Sequence, residues 1–349
     1  MEPLGSGLAE ESEMILARLR STDVRTPSDT IFRSDFATRL QTMLSGRNRL
    51  RVMRDVTPLL VPSAELTALF GDEDLDCLIE AVGESWSNSI PLVGAPPQPD
   101  YSIGFARNTF SESQLKKLSP FIGDFIAGDQ SLFMATFRMY LPFFTCETTC
   151  GDEGLEVADR PNAHSMAIAV RGVVELFRLV GREREIDRQI LGFSVSHDNS
   201  TVRYYGHYPV IEEGRKTRYY RHLIHMTTLM GDERWASYKL TKSIYSFWVP
   251  KHLRRLRSAI DQLPSGKKPF RRVPPPKTRG GPLRHTHPFR HDPGDNSWRD
   301  TPIDFEREAV DDVSLPDTAK PGEEVPFTGP SQGYVPPPSG ACYQNIFPR

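Results

Sequence analysis

Two carboxylates interrupt stretches that otherwise read as buried strands, and this constrains the chain more than any other feature. Asp100 lies in Pro99-Asp100-Tyr101, ahead of an alternating run through Phe105. Glu147 lies in Phe143-Phe144-Thr145-Cys146-Glu147-Thr148-Thr149. A carboxylate in apolar surroundings is costly unless a cation or a metal accompanies it. Two of them on neighbouring strands form a place for a divalent metal, so the chain is expected to fold with both strands side by side and both acids on one face.

Alternation sets those faces. Tyr101, Ile103 and Phe105 share one side of their strand, and Asp100, Ser102 and Gly104 share the other. In the later strand, read over Leu141 to Thr149, Glu147 shares a face with Thr145 and Thr149. A long helix follows, with Asp159 expected as its cap and Pro161 in its first turn. Its apolar face carries Met166, Val170, Val173, Val174 and Phe177. Ile190 to Ser196 then reads as a buried strand. Strand, helix and strand in this order imply a parallel pair with a right-handed crossover. Asp198-Asn199-Ser200 turns into a strand from Thr201 to Tyr208, and Glu213-Gly214 turns into another from Thr217 to Ile224.

The front of the chain reads as helical: a surface helix over Glu10 to Leu19, a helix carrying Phe36, Leu40, Met43 and Leu44 with Ser34 as its cap, and a short helix between Ser63 and Gly71. Leu75, Leu78, Ile79, Val82 and Trp86 recur at helical spacing and predict a further helix, with Glu80 and Glu84 facing solvent. Ser111 and Gln114 form a capping-box pattern. Helices over Trp235 to Trp248 and Pro250 to Leu263 finish the domain. The fold class is therefore mixed α and β, with a sheet near the middle of the chain.

Composition bounds the domains. Of 30 prolines, 17 fall from Pro264 onward, and the apolar residues there show no period. Such a segment cannot bury enough surface to offset its ordering entropy. The expected organisation is a helical region over 1–50, a folded domain over 51–264 and a disordered tail over 265–349. The tail begins with a basic stretch (Lys267, Lys268, Arg271, Arg272, Lys277, Arg279) and turns acidic from Asp300 to Glu324. A net charge of −2 gives no global attraction to nucleic acid, so such binding needs a local patch. Arg203, Tyr204, Tyr205, Arg218, Tyr219, Tyr220 and Arg221 form one aromatic-basic candidate, which sheet packing also explains. Cys77, Cys146, Cys150 and Cys342 show no metal or disulfide spacing. Without a signal-like N-terminus or a membrane-length apolar run, the expected location is intracellular, with the basic stretch making the nucleus a candidate.

Once the elements are placed, the order Pro-Asp strand, Glu-x-x strand, helix and further strand resembles the PD-(D/E)XK nuclease superfamily. Wider blocks, including Pro99 to Phe105, Leu141 to Gly151, Ala158 to Met166, Ser196-His197-Asp198, Tyr205 to Val210 and Ser258 to Pro264, resemble an uncharacterised fungal family of PD-(D/E)XK nuclease-like domains. The resemblance covers roughly residues 50 to 264. It implies a restriction-endonuclease-like core, a mixed sheet flanked by helices, and an Mg²⁺ ion held by Asp100, Glu147 and the Thr148 carbonyl. Its catalytic lysine falls at Thr149, which has no positive charge and no hydroxyl acidic enough to serve as a ready base. Arg160 is a candidate for the missing charge, though a guanidinium is no base near neutral pH. The implied function is a catalytically degenerate nuclease-fold module that binds nucleic acid or a protein partner. An active Mg²⁺-dependent nuclease with an altered third position, and a purely structural interaction protein, are the competing readings.

Overall fold

The expected pair of neighbouring strands forms the centre of a mixed sheet. In the computed structural model, residues 7–28, 30, 32, 36–124, 128–150, 154–212, 217–229, 232–264 and 302–303 are described. The Ser34 cap, the Glu213-Gly214 turn and, apart from residues 302–303, the predicted disordered tail lie outside them. Chain contacts divide the protein into Met1–Phe305 and Glu306–Arg349, and the second unit lies wholly outside the described residues.

Strands β1 (Leu78–Val82), β2 (Tyr101–Phe105) and β3 (Tyr140–Thr148) form an antiparallel meander. Helix α6 (Glu156–Leu179) then crosses over to β4 (Gly192–His197), which pairs parallel with β3. Strands β5 (Thr201–Ile211) and β6 (Thr217–Thr228) continue antiparallel, and a two-residue strand β7 (Pro302–Ile303) pairs with β6. The parallel crossover read from the sequence is thus present. Every residue of β3 and β4 is buried, which explains why both read as near-continuous apolar runs.

Helices cover both faces. Helix α6 lies across β3, β4 and β5 on the face that carries Thr145, Ser194 and Tyr205. Asn162 of α6 accepts from Thr145 Oγ1 at 2.7 Å and donates to the Val195 carbonyl and Ser196 Oγ, fixing the helix to the sheet by polar contacts. The opposite face packs against α3 (Arg49–Leu60), α7 (Ala236–Ser243), a π-helical turn (Ile244–Trp248) and α8 (Val249–Ile260). There Trp248 meets Phe143 and Phe193 at ring separations of 5.4 and 5.0 Å. Helix α1 (Glu10–Ser21) buries Ile15, Leu16 and Leu19 and packs against α7. Helix α2 (Ala37–Leu44) precedes Gly46, whose positive φ suits a turn past a helix end. Helix α5 (Glu112–Ile122) has the predicted capping box.

Three sequence expectations need correction. Leu75 to Trp86 is not a helix: a short 3₁₀ turn leads into β1. Pairing to β2 supplies hydrogen bonds that a single-segment period cannot register. Glu80 does not simply face solvent, because it accepts from Ser63 Oγ (2.8 Å) and from the Ala64 amide. It thereby holds the N-terminus of α4 (Ala64–Leu69). Helix α6 starts at Glu156, so Asp159 and Pro161 sit inside it and Asp159 is no cap. Helix α3 was not anticipated at all. Its marks are Asn48, which accepts from the Arg51 amide, and the buried series Val52, Val56 and Leu60.

Gly192, at the start of β4, lets two backbones close together: a Cβ there would lie 2.8 Å from the Phe143 carbonyl oxygen. Gly192→Ala is therefore expected to destabilise the protein by about 2–3 kcal/mol, the usual range for overpacking a rigid core. Urea unfolding of the two proteins measures it.

Candidate functional site: two carboxylates around one arginine

The β2–β3 register pairs Tyr101 with Cys146, so the next position places Asp100 opposite Glu147 on the face covered by α6. The two acids meet, as their strand positions imply. Both are buried, Asp100 to 9% and Glu147 to 3% relative exposure. Between them lies the guanidinium of Arg49. Its Nη2 is 2.5 Å from Asp100 Oδ1 and 3.1 Å from Glu147 Oε2, and its Nε is 3.1 Å from Asp100 Oδ2. Asp100 Oδ2 also accepts the Thr148 amide at 2.8 Å. The cation that this pair demands is thus a side chain from elsewhere in the protein.

Helix α3 places it there. Arg49 is its first helical residue, directly after the Asn48 cap. Further along, Thr57 Oγ1 lies 2.8 Å from His197 Nε2, and Thr148 Oγ1 lies 3.1 Å from the same nitrogen. His197 Nδ1 faces the Asp198 carbonyl at 3.1 Å. With its proton on Nδ1, the ring donates to that carbonyl and accepts both hydroxyls at Nε2. Burial lowers the His197 pKa, which keeps the ring neutral. This joint ties α3 to the ends of β3 and β4, and so fixes where Arg49 can reach.

Charge counting explains the titration of the pair. One guanidinium neutralises one carboxylate. Burial, and then the charge of Asp100, push Glu147 up to about 8, against the opposing pull of Arg49. Near neutral pH the stable arrangement is Arg49 between the two side chains with a proton held on Glu147. Burial pulls the Arg49 pKa down, but Asp100 and then Glu147 more than offset this and the net shift is upward.

These residues do not suit an Mg²⁺ ion while Arg49 is seated. The position between the carboxylates is taken, and no group of three or more His, Cys, Asp or Glu able to hold a metal exists among the described residues. Thr149 is buried just past β3, its amide bonded to the His197 carbonyl at 2.9 Å. Arg160 is exposed on α6. The cation at the pair is Arg49 and not Arg160, a partner the sequence reading missed. Its signal was the Asn48 cap and the apolar stripe of α3.

The neighbouring aromatic-basic stretch is largely packing. Arg203 Nη1 lies 3.0 Å from Glu156 and 2.8 Å from Asp159, and Tyr205 donates to Asp159 at 3.0 Å. The Arg221 guanidinium lies 4.7 Å from the centre of the Tyr205 ring. Tyr204 is buried against Phe144 and Phe193, and Tyr208 stacks on Tyr220.

A family model described as Domain of unknown function (DUF7924) matches residues 36–260. The chain belongs to this family. The matched span runs from α2 to the end of α8 and includes Arg49, Asp100 and Glu147. No curated protein and no solved structure matches the chain. No described helix is long and apolar enough to cross a membrane.

Arg49→Ala leaves two buried acids without their cation. A loss of about 1–2 kcal/mol in chemical denaturation is expected, reduced from the fully buried case because the Arg49 side chain is 48% exposed. Glu147 also makes stability depend on pH. Its folded-state pKa lies above the ordinary value of 4.5, so its contribution is complete below about 4.5 and is lost as pH rises through about 8. Glu147→Gln should flatten the stability profile across that window, by at most about 5 kcal/mol. An unchanged slope in the variant contradicts the assignment.

Proposed function

We propose that this protein is a nuclease-fold module of PD-(D/E)XK ancestry that binds and does not cleave, because Arg49 holds the position a catalytic metal would need. The observation that carries the reading is the single guanidinium lying between Asp100 and Glu147. It is supported by the order of elements on which the resemblance rests: a strand entered through Pro99-Asp100, a strand ending in Glu147-Thr148, a helix and a parallel strand.

Phosphodiester hydrolysis of this kind requires a divalent ion to acidify a water and to stabilise charge on the phosphate. Arg49 cannot do the first. Its charge is spread over a planar group with no open coordination position, and it gives up no proton near neutral pH. Thr149, in the lysine position, adds no charge. Nucleic acid is the partner class that the ancestry favours. A protein partner is the other outcome of a binding screen.

The test compares the wild type with Arg49→Ala in thermal melts with and without Mg²⁺ or Mn²⁺, beside cleavage assays on single- and double-stranded DNA. The wild type should show neither metal stabilisation nor cleavage. Arg49→Ala should gain several degrees of stabilisation in Mn²⁺, and Asp100→Asn in that background should abolish the gain. Metal-dependent cleavage by the wild type, lost in Asp100→Asn, would instead establish an active enzyme with an altered third position.

A further inference from the structure

At the ends of β2 and β3 remote from the carboxylates lies a groove of about 650 Å³. Five strand residues at ~3.4 Å each put it roughly 17 Å from Asp100. It is lined by the buried Phe110 and Leu115 and by the exposed side chains of Arg107, on one turn, and of Phe137 and Arg138, on another. Glu112 is the carboxylate on its wall.

Both turns are rigid. Arg107 opens a 3₁₀ turn that ends at Thr109, whose hydroxyl donates to the Cys77 carbonyl at 2.6 Å and whose carbonyl accepts from Arg257. Phe137 and Arg138 sit at the tip of a second turn. There the Thr136 hydroxyl accepts the amides of Arg138 (3.3 Å) and Met139 (3.2 Å), and the Ala135 amide bonds the Met139 carbonyl at 3.0 Å. Leu141, just beyond, is buried with a φ of 43°, a backbone conformation that costs a branched residue energy and persists only where the surroundings enforce it. The turn therefore presents a phenylalanine that is 48% exposed, with the Arg138 guanidinium 4.9 Å from its ring centre.

The lining chemistry is that of an anion joined to a flat ring. Arg107 and Arg138 are exposed, and neither guanidinium has a carboxylate or carbonyl partner among the described residues. Two guanidinium forks suit the oxygens of a phosphate monoester. An exposed aromatic ring beside an arginine is a platform on which any base can stack. Glu112 accepts hydrogen bonds, as a ribose hydroxyl or an exocyclic amine would require, and still leaves the groove with one net positive charge.

We propose that this groove binds a nucleoside 5′-phosphate unit, with Arg107 and Arg138 on the phosphate and Phe137 against the base. The site shares no residue with the carboxylate pair and does not depend on the reading of that pair. Free nucleotides and the 5′ end of a nucleic acid carry the same unit, and the experiment separates them.

Fluorescence anisotropy on the full-length chain would use a 5′-phosphorylated five-nucleotide single-stranded DNA labelled at its 3′ end. AMP, adenosine, the oligonucleotide lacking its phosphate and a polyglutamate peptide serve as competitors. Removal of the phosphate, or Arg107→Ala with Arg138→Ala, should weaken binding at least tenfold. Phe137→Ala should weaken it about tenfold, in keeping with the loss of one stacking contact. The substituted side chains are exposed, and thermal melts confirm folding of each variant. Competition by AMP equal to that of the oligonucleotide assigns the groove to free nucleotides, and competition by the oligonucleotide alone assigns it to nucleic-acid ends. Binding that survives the double variant, ignores the phosphate, fails with every probe, or yields to polyglutamate and not to AMP overturns the proposal.

Discussion

One positive charge serves two buried carboxylates, and much of this architecture follows from that imbalance. Asp100 and Glu147 face each other across β2 and β3 in a setting that water cannot fully solvate. Each buried charge left without a partner carries a large penalty. Arg49 supplies one unit of neutralisation, and a proton on Glu147 supplies the other. A divalent metal would have neutralised both acids at once. The present arrangement reaches that electrostatic balance with a guanidinium and a proton.

That solution is only as good as the placement of α3, since an arginine helps only where its guanidinium is held. The Asn48 cap starts the helix, Val52, Val56 and Leu60 bury one side of it, and the Thr57–His197–Thr148 joint locks it to two strands. The same joint explains why His197 is buried and neutral without being a metal ligand. The balance of charge and the position of a helix are here one property, because moving α3 would strand both acids. The groove at the far end of the meander obeys different physics: its arginines and its phenylalanine are exposed.

Much of the sheet was legible residue by residue. Alternation gave β2 and its faces, the apolar run gave β3 and β4, and the helical stripe between them gave the parallel crossover. Two failures are instructive. Leu75 to Val82 carries a spacing that fits a helix, yet hydrogen bonding to β2 makes its second half a strand. Asp159 has the look of a helix cap but lies one turn inside α6, where Arg203 and Tyr205 hold it. In both cases partners far away in sequence outweighed a local preference.

The sequence by itself determined that each acid sits beside apolar strand residues and which face of its own strand it takes, since alternation and apolar flanks act locally. Only the tertiary structure decided which cation answers them. That choice depends on an arginine 51 positions before Asp100, carried by a helix whose placement is set by packing and by a buried histidine. Electrostatic need is written along a strand, but the group that meets it is selected by distance in space, which no local pattern encodes.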